Sequence, residues 1–442
     1  MSVDDRVTDT GPFAAAGAAP DTDEAGPAEA PTTATATAAT APTTTPTADT
    51  ATGTKRLRLV RLARLTERWP AFAAAVAPAA VFLGVRAVGL SVLHWMSLVE
   101  GRSMDNLLSK WDGRWLLGIA GGGYSDVPPG LEDAFGHRSA ETPLAFFPGY
   151  PGTVGLIRLI TGTPAVSAGL AVSLAAGMIL AYGLATLGEL VPGGSRRAGL
   201  LLVTLVAAAP MGIVWSMTYS EGMFCACAVW ALVAVLRRNW VLAGMCTALA
   251  GTIRPTAAAL LLAVGGALLW AAVRRRDGWR PWVGGLVAPL GLLGYLAWVA
   301  WQLGSPSGWF GVQQRGWHSR FDGGRATLAF SHEVLASGRS VLEVGTVAVL
   351  AGGVVLLVVC VRTRVPWPLW VYAAGVLVMD LGSNGLMSSK ARLAMPAVTL
   401  LVPVALALAK RRPTTAAAVL VAATLASAWF SGYSLTGWSY AI

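Results

Sequence analysis

From Pro70 to the C-terminus the chain alternates apolar runs of about 20 residues with short polar or basic breaks. That run length crosses a hydrocarbon core of roughly 30 Å as α-helix. Before Pro70 the pattern is different. Residues 1–54 are Ala, Thr, Pro and Asp in low-complexity runs without apolar periodicity. Such a composition buries too little surface to offset chain entropy, so a disordered cytoplasmic tail is expected. It lacks the basic region followed by an apolar core that marks a cleavable signal peptide. Residues 55–69, KRLRLVRLARLTER and the following Trp, read as a basic amphipathic segment on the cytoplasmic leaflet. Residues 70–442 are expected to form a single transmembrane domain.

The basic breaks order these runs into a topology. With residues 55–69 inside, residues 70–93 cross outward and residues 94–164 form a large outer loop, in which 146–160 is a juxtamembrane helix. Residues 165–190 return to the basic 193–197, and 198–217 and 219–236 make the next pair. From Arg237-Arg238 to the basic 274–280 the chain must form a hairpin, with Arg254-Pro255 as its break. Residues 282–303 rise to a second outer loop, 304–340. Residues 341–361, 367–386, 393–409 and a last helix from about Thr414 complete the set. The fold class expected is an all-α polytopic membrane protein of about eleven spans, counted by run length. One basic cluster, Lys390 and Arg392, falls on the wrong side, and such a violation signals a partner for those charges.

Composition sharpens this reading. The chain is 55% hydrophobic and 13% charged, with mean hydropathy +0.58, too little polar surface to cover a soluble globule. Residues 1–54 hold eight acids and one Arg, a charge of −7, so with a net +10 the rest of the chain carries +17. That excess sits in short loops beside apolar runs, which reports membrane orientation rather than a nucleic-acid partner. Cys225, Cys227, Cys246 and Cys360 lie inside apolar runs and behave as small hydrophobes. His94, His137, His318 and His332 match no ligand spacing, so neither a metal nor another cofactor is expected.

Polar chemistry concentrates in the first loop, in SMDNLLSKWDGRWLLGIAGGGYSD (103–126) and AFFPGYP (145–151). Leu107, Leu108, Trp111, Trp115 and Leu116 recur at helical spacing and suit one interfacial helix. Asp105 and Asp112, seven apart, would share a face of it. A carboxylate there is placed to act as a general base on a hydroxyl, against the plainer reading of solvated charges on an amphipathic helix. Arg254, in an apolar hairpin, needs either a lipid phosphate gripped bidentately or an ion pair with Glu221. Lys390 and Arg392 suit the same phosphate or bulk anionic headgroups. Most tryptophans read as interfacial anchors, with Trp309 and Trp317 the candidates for sugar platforms.

The segment KWDGRWLLGIAGGGY followed by AFFPGYP resembles the signature of the PIG-V-type family, the GPI mannosyltransferase 2 family and its bacterial relatives. Trp111, Asp112, Ile119, Ala120, Gly123, Tyr124, Ala145, Phe146, Phe147, Pro148, Tyr150 and Pro151 carry the match. Tyr219, Ser220 and Glu221, the TIRPT segment around Arg254, and Gln314 and Trp317 extend it. The chain departs from the family in a longer polar stretch between Tyr124 and Ala145. The resemblance implies a GT-C-like membrane glycosyltransferase that inverts at the anomeric carbon. It also implies a polyprenyl-phosphate sugar, mannose in that family, as donor and a lipid or glycan hydroxyl as acceptor. Asp112 would be the base, with Asp105 in reserve. The substrate would meet Trp111, Arg114, Tyr124, Tyr219, Glu221, Arg254, Gln314, Trp317, Lys390 and Arg392. Two readings from other classes compete: a transporter or flippase of a lipid-linked sugar, and a non-catalytic membrane scaffold.

Overall fold

Helices account for nearly all regular structure in the computed structural model, which describes residues 50–337, 340–438 and 440–442, with side chains from residue 72 onward. Residues 1–49 of the expected 1–54 tail and the side chains of the basic segment 55–69 lie outside the described residues, and residues 50–54, expected to be disordered, are helical. Residues 66–442 form one compact unit. Among the described residues the nearest approach to a strand is a single antiparallel bridge between Phe321 and Ser383.

Helix α1 runs Thr50–Val99, with its apolar span at Phe72–Val99, six residues beyond the expected end at Leu93. The first long loop then carries α2 (Met104–Leu108), α3 (Asp112–Gly122) and α4 (Gly149–Thr161). Pro164 fixes the start of α5 (Ala165–Leu190), and the Ser195 hydroxyl accepts from the Ala198 N–H to cap α6 (Arg196–Ala207). A 3-10 turn at Gly212–Ser216 leads to α7 (Glu221–Leu236). Asn239 caps α8 (Trp240–Gly251), and the chain breaks at Arg254-Pro255 before α9 (Ala257–Val273). Helices α10 (Arg280–Val287) and α11 (Leu290–Leu303) form one span interrupted at Pro289.

The second long loop carries α12 (Gly308–Trp317) and α13 (Arg325–Ser337). Ser340 and Glu343 then close a capping box on α14 (Val341–Arg362). Helices α15 (Trp367–Leu381), α16 (Lys390–Leu393), α17 (Val402–Ala409) and α18 (Pro413–Thr436) follow.

The expected all-α polytopic class is what these residues build, although several of the eleven apolar runs are short or broken helices and not full-length ones. Five described helices are long and apolar enough to cross a membrane, or six if the bent pair Met387–Leu393 and Val398–Ala409, folded by 63°, counts as one. Helices α7, α8, α9 and α15 are apolar but only 16, 12, 17 and 15 residues long. At 1.5 Å per residue they reach about 18 to 26 Å, short of the roughly 30 Å core. The expected 198–217 helix stops at Ala207, before Pro210 and Gly212, and the expected 393–409 helix is interrupted around Pro396. Several polar helix ends therefore sit within the protein and not at its surface.

Helix α7 is buried over most of its length, its Phe224, Cys225, Val229 and Leu232 fully so. Its neighbours come close through small residues. A Cβ at Gly188 of α5 would collide with the Gly199 backbone of α6, and one at Gly291 of α11 with the Ala248 carbonyl of α8. Arg86, only 3% exposed in the first span, donates to the Gly212 carbonyl at the break after α6. It was an unremarked charge in the sequence, and an intramembrane arginine of this kind satisfies backbone groups that a broken helix leaves open.

Candidate active site

The first loop does not form one interfacial helix. Helix α2 ends at Leu108, where the Ser109 N–H and hydroxyl both donate to the Asp105 carbonyl, at 3.1 and 2.6 Å. Trp111 then takes φ 52° and ψ −117°, a left-handed backbone that is costly for a bulky residue and is kept only where the surroundings impose it. This turn restarts the chain as α3 with Asp112 in its first turn, where the helix dipole favours negative charge. The expected shared face of Asp105 and Asp112 is thereby lost: Asp105 is exposed on α2, and Leu107, Leu108, Trp115 and Leu116 pack inward.

The surroundings that impose the turn come from the segment before α7. The Thr218 N–H donates to the Leu108 carbonyl at 2.9 Å, and the Tyr219 hydroxyl donates to the Lys110 carbonyl at 3.2 Å. Gly113 lies so near that an added Cβ would meet the Thr218 hydroxyl oxygen at 2.6 Å. On the far side, the Lys110 ammonium donates to the Leu435 carbonyl of α18 at 2.8 Å and stands 4.9 Å above the Trp111 ring. Burial, and then the positive charges of Arg102 and Arg114, lower the Lys110 pKa from its ordinary value.

Four charges from four distant stretches of chain converge here. Arg392 of α16 donates through Nη1 to Asp112 Oδ2 at 2.5 Å, and its Nε lies 3.7 Å from Glu221 Oε1 at the start of α7. Arg254, from the break between α8 and α9, places Nη1 2.8 Å from that same oxygen and 3.0 Å from the Ser220 hydroxyl. The Arg392 guanidinium also stacks over the Tyr219 ring at 5.1 Å. Exposure grades across the cluster: the Glu221 side chain is 0% exposed, Arg392 7%, Arg254 13% and Asp112 26%. Asp112 is the member open to an incoming molecule.

The cluster is charge-balanced yet incompletely hydrogen-bonded. Both Glu221 oxygens and the Nε groups of Arg254 and Arg392 are buried without a hydrogen-bond partner among the described residues. Neither Nε–H makes a hydrogen bond, although the Arg392 Nε stays 3.7 Å from Glu221 Oε1, so both guanidinium groups retain donor capacity toward an oxyanion. The expected pair of Arg254 with Glu221 is thus present, and it leaves the guanidinium with unused capacity.

The other named residues fall elsewhere. Lys390 does not join Arg392: its side chain is 1% exposed, lies 3.8 Å from Asp380 Oδ1, and donates to the Ser383 carbonyl at 2.7 Å and the Asp380 carbonyl. In the short α16 helix, residues two apart point in different directions, so Lys390 and Arg392 face different partners. Arg114 is exposed on α3. Gln314 is exposed on α12, and its neighbour Gln313 is the one that donates to the Ala145 carbonyl, at 3.2 Å.

Trp309 donates to the same carbonyl at 3.3 Å, and Trp317 meets the Phe146 ring edge-on at 5.5 Å. These tryptophans seat the second long loop on AFFP of the first. Tyr124 donates to the Phe146 carbonyl at 2.8 Å and also serves that seat. Among the described residues, no group of three or more His, Cys, Asp or Glu is placed to hold a metal ion. Asp380 and Lys110 were not singled out from the sequence. An acid inside an apolar run was the available signal for Asp380, and nothing in the pattern marked Lys110.

No family model and no curated protein sequence matches the chain, so the family resemblance rests on the motif residues themselves. Among solved structures the chain is similar to ArnT from Cupriavidus metallidurans in the apo state, at 18% identity and a TM-score of 0.49. It is also similar to ArnT from the same organism bound to undecaprenyl phosphate, at 16% identity and 0.48. Each comparison covers 77% of this chain, which spans 62% of the length of the ArnT chain.

Proposed function

We propose that this membrane protein is an inverting glycosyltransferase that moves a sugar, mannose by the family resemblance, from a polyprenyl-phosphate donor to a lipid or glycan hydroxyl at the outer membrane face. The observation that carries the proposal is the meeting of an accessible carboxylate, Asp112, with two arginines that retain buried N–H donors, Arg254 and Arg392.

In this reading Asp112 takes the proton of the acceptor hydroxyl. The oxygen's electron pair forms a bond to the anomeric carbon from the face opposite the phosphate, and the carbon–oxygen bond to the phosphate breaks. Polyprenyl phosphate leaves with that electron pair, and Arg254 and Arg392 stabilise the charge that grows on it. Glu221 holds both guanidinium groups in place, and Tyr219 supports Arg392 from below. Asp112 is paired with Arg392 before substrate arrives.

Two measurements test the reading. Purified protein in vesicles, given polyprenyl-phosphate mannose and a hydroxyl acceptor, should release polyprenyl phosphate and yield a product of inverted configuration. Retention of configuration, or movement of intact donor across the bilayer without transfer, would replace it with a double-displacement or flippase mechanism. Cysteines placed singly at Ser125 and Ser307, both exposed in the long loops, should react with an impermeant reagent in intact cells. Reaction only after lysis would put the site on the inner face.

A further inference from the structure

The polar stretch between Tyr124 and Ala145, by which this chain departs from the family it resembles, is tied down at several points. Trp115, one turn after Asp112 on α3, donates through Nε1 to the Glu132 carbonyl at 3.2 Å. Arg138 donates to the Val127 carbonyl at 2.7 Å and to the Pro128 carbonyl. Three further contacts seat the stretch on the end of α12. The Ala134 N–H donates to the Gly316 carbonyl at 3.1 Å, Arg315 pairs with Glu141, and Phe135 stacks on His318 with ring centroids 3.9 Å apart. His318, which ends α12, takes φ 49°, a left-handed backbone that costs a residue with a side chain. A surface loop held by this many specific contacts, at a conformational cost, keeps a defined shape.

That shape encloses a cavity of about 220 Å³, lined by Asp133, His137, Arg138, Ser139 and Thr142 of the stretch and by Arg315 of α12. It admits a single small ring and not a drug-sized ligand. Its hydrogen-bonding groups are only partly used. Asp133 Oδ1 accepts from the N–H groups of Phe135 and His137, at 2.8 and 3.0 Å, which leaves Oδ2 as an acceptor. The Ser139 and Thr142 hydroxyls stand 3.1 Å apart, so one hydrogen is used between them and the other is left to donate. Arg315 spends Nη2 on Glu141, and its other N–H groups have no protein partner among the described residues.

The acids and guanidinium groups balance, Asp133 and Glu141 against Arg138 and Arg315. An anion gains little from such a site. Donors and acceptors are mixed around it, and Val312, buried in α12, adds an apolar wall. A sugar ring matches both features, because its hydroxyls each donate and accept while its faces are C–H.

We propose that this cavity binds a neutral sugar ring, a unit of the acceptor glycan; the binding stands on the cavity alone, and its assignment to the acceptor rests on the transfer reading given above. An acceptor that engages it is a glycan chain and not a bare lipid alcohol.

The test is binding without turnover. Full-length protein in phosphatidylcholine nanodiscs, free of sugar-headed detergent, is titrated with methyl α-mannopyranoside and methyl β-galactopyranoside, and saturation transfer to the ligand protons is followed by NMR. One glycoside or both should bind, and inorganic phosphate should not displace them. Asp133→Asn keeps Oδ1 for the turn but exchanges the Oδ2 acceptor for a donor, so it should weaken binding by about tenfold, the loss of one charge-assisted hydrogen bond. Arg315→Gln should weaken it to a similar degree. Because the Arg315 pair is exposed, thermal unfolding of that variant should match the wild type.

Equal binding by the wild type and both variants, no binding at all, or displacement by inorganic phosphate would overturn the assignment. Binding lost in Asp112→Asn yet kept in Asp133→Asn would move the glycoside to the charged cluster and overturn it as well. The two readings fail separately. Glycoside binding that needs Asp133, in a protein that transfers no sugar, keeps the cavity and removes the transfer reading. Transfer to a glycan by a protein that binds neither glycoside keeps the transfer reading and removes the cavity.

Discussion

Two buried ion pairs flank the short helix α16, and they teach opposite lessons. Arg392 pairs with Asp112 and Glu221, and its cluster keeps two N–H donors unused and one carboxylate 26% exposed. Lys390, two residues earlier, pairs with Asp380 in a sealed site where the carbonyls of Asp380 and Ser383 take up its ammonium. The first arrangement has capacity left for a ligand, and the second has spent its donors on the backbone of its own chain. In the sequence the two residues look alike, as basic charges on the wrong side of a membrane. Only the count of remaining donors separates a site from an anchor.

The sharpest way to break this comparison is to remove one partner of the sealed pair. Lys390→Met leaves the Asp380 carboxylate buried alone and should destabilise the protein by about 3 to 5 kcal/mol, the usual cost of an uncompensated buried charge. The double variant Lys390→Met/Asp380→Leu should recover most of that loss. Thermal unfolding in detergent measures both. If the double variant unfolded normally yet lost all transfer, Lys390 would belong to the chemistry after all.

A smaller effect is expected on the open side. Arg254→Lys preserves the charge but not the planar fork, so the KM for donor should rise by about tenfold while the fold survives. Unchanged donor use, with loss of stability alone in Arg254→Leu, would reduce Arg254 to a structural partner of Glu221. Asp105→Asn, on the exposed face of α2, should change transfer by less than about twofold, within the range of ordinary surface substitutions. Deleting residues 1–54 should have the smallest effect, with turnover per folded molecule in membranes unchanged. A drop in turnover at normal abundance would assign that tail a role.

The parts of the fold that were legible had clear borders. Helix α5 was readable to the residue because Pro164 and the polar 192–195 segment bound its apolar run. The start of α14 at Val341 also fell where its apolar run begins, and the Ser340 cap found in the structure fixes it there. The helices α7, α9 and α15 were not readable as short, because run length says nothing about a break whose polar groups are satisfied inside the protein. The break at Arg254-Pro255 was visible since it contained both a charge and a proline.

In the site, Asp112, Glu221, Arg254 and Arg392 each stood out as charges in apolar surroundings. The pair of Arg254 with Glu221 was among the expected alternatives, but the pairing of Asp112 with Arg392 was not, because those two residues stand 280 positions apart in sequence. The left-handed backbone at Trp111 carried no sequence signal either: tryptophan is a poor candidate for that conformation, and packing against Thr218 and Tyr219 imposes it.

The account depends most on Asp112 being the base, and one comparison tests it directly. Asp112→Asn keeps the shape of the side chain and removes its capacity to accept a proton. Sugar transfer from a polyprenyl-phosphate donor should then fall by about 10² to 10⁴, the usual contribution of a general base, with donor binding and thermal stability close to wild type. Transfer by Asp112→Asn at near the wild-type rate would contradict the account.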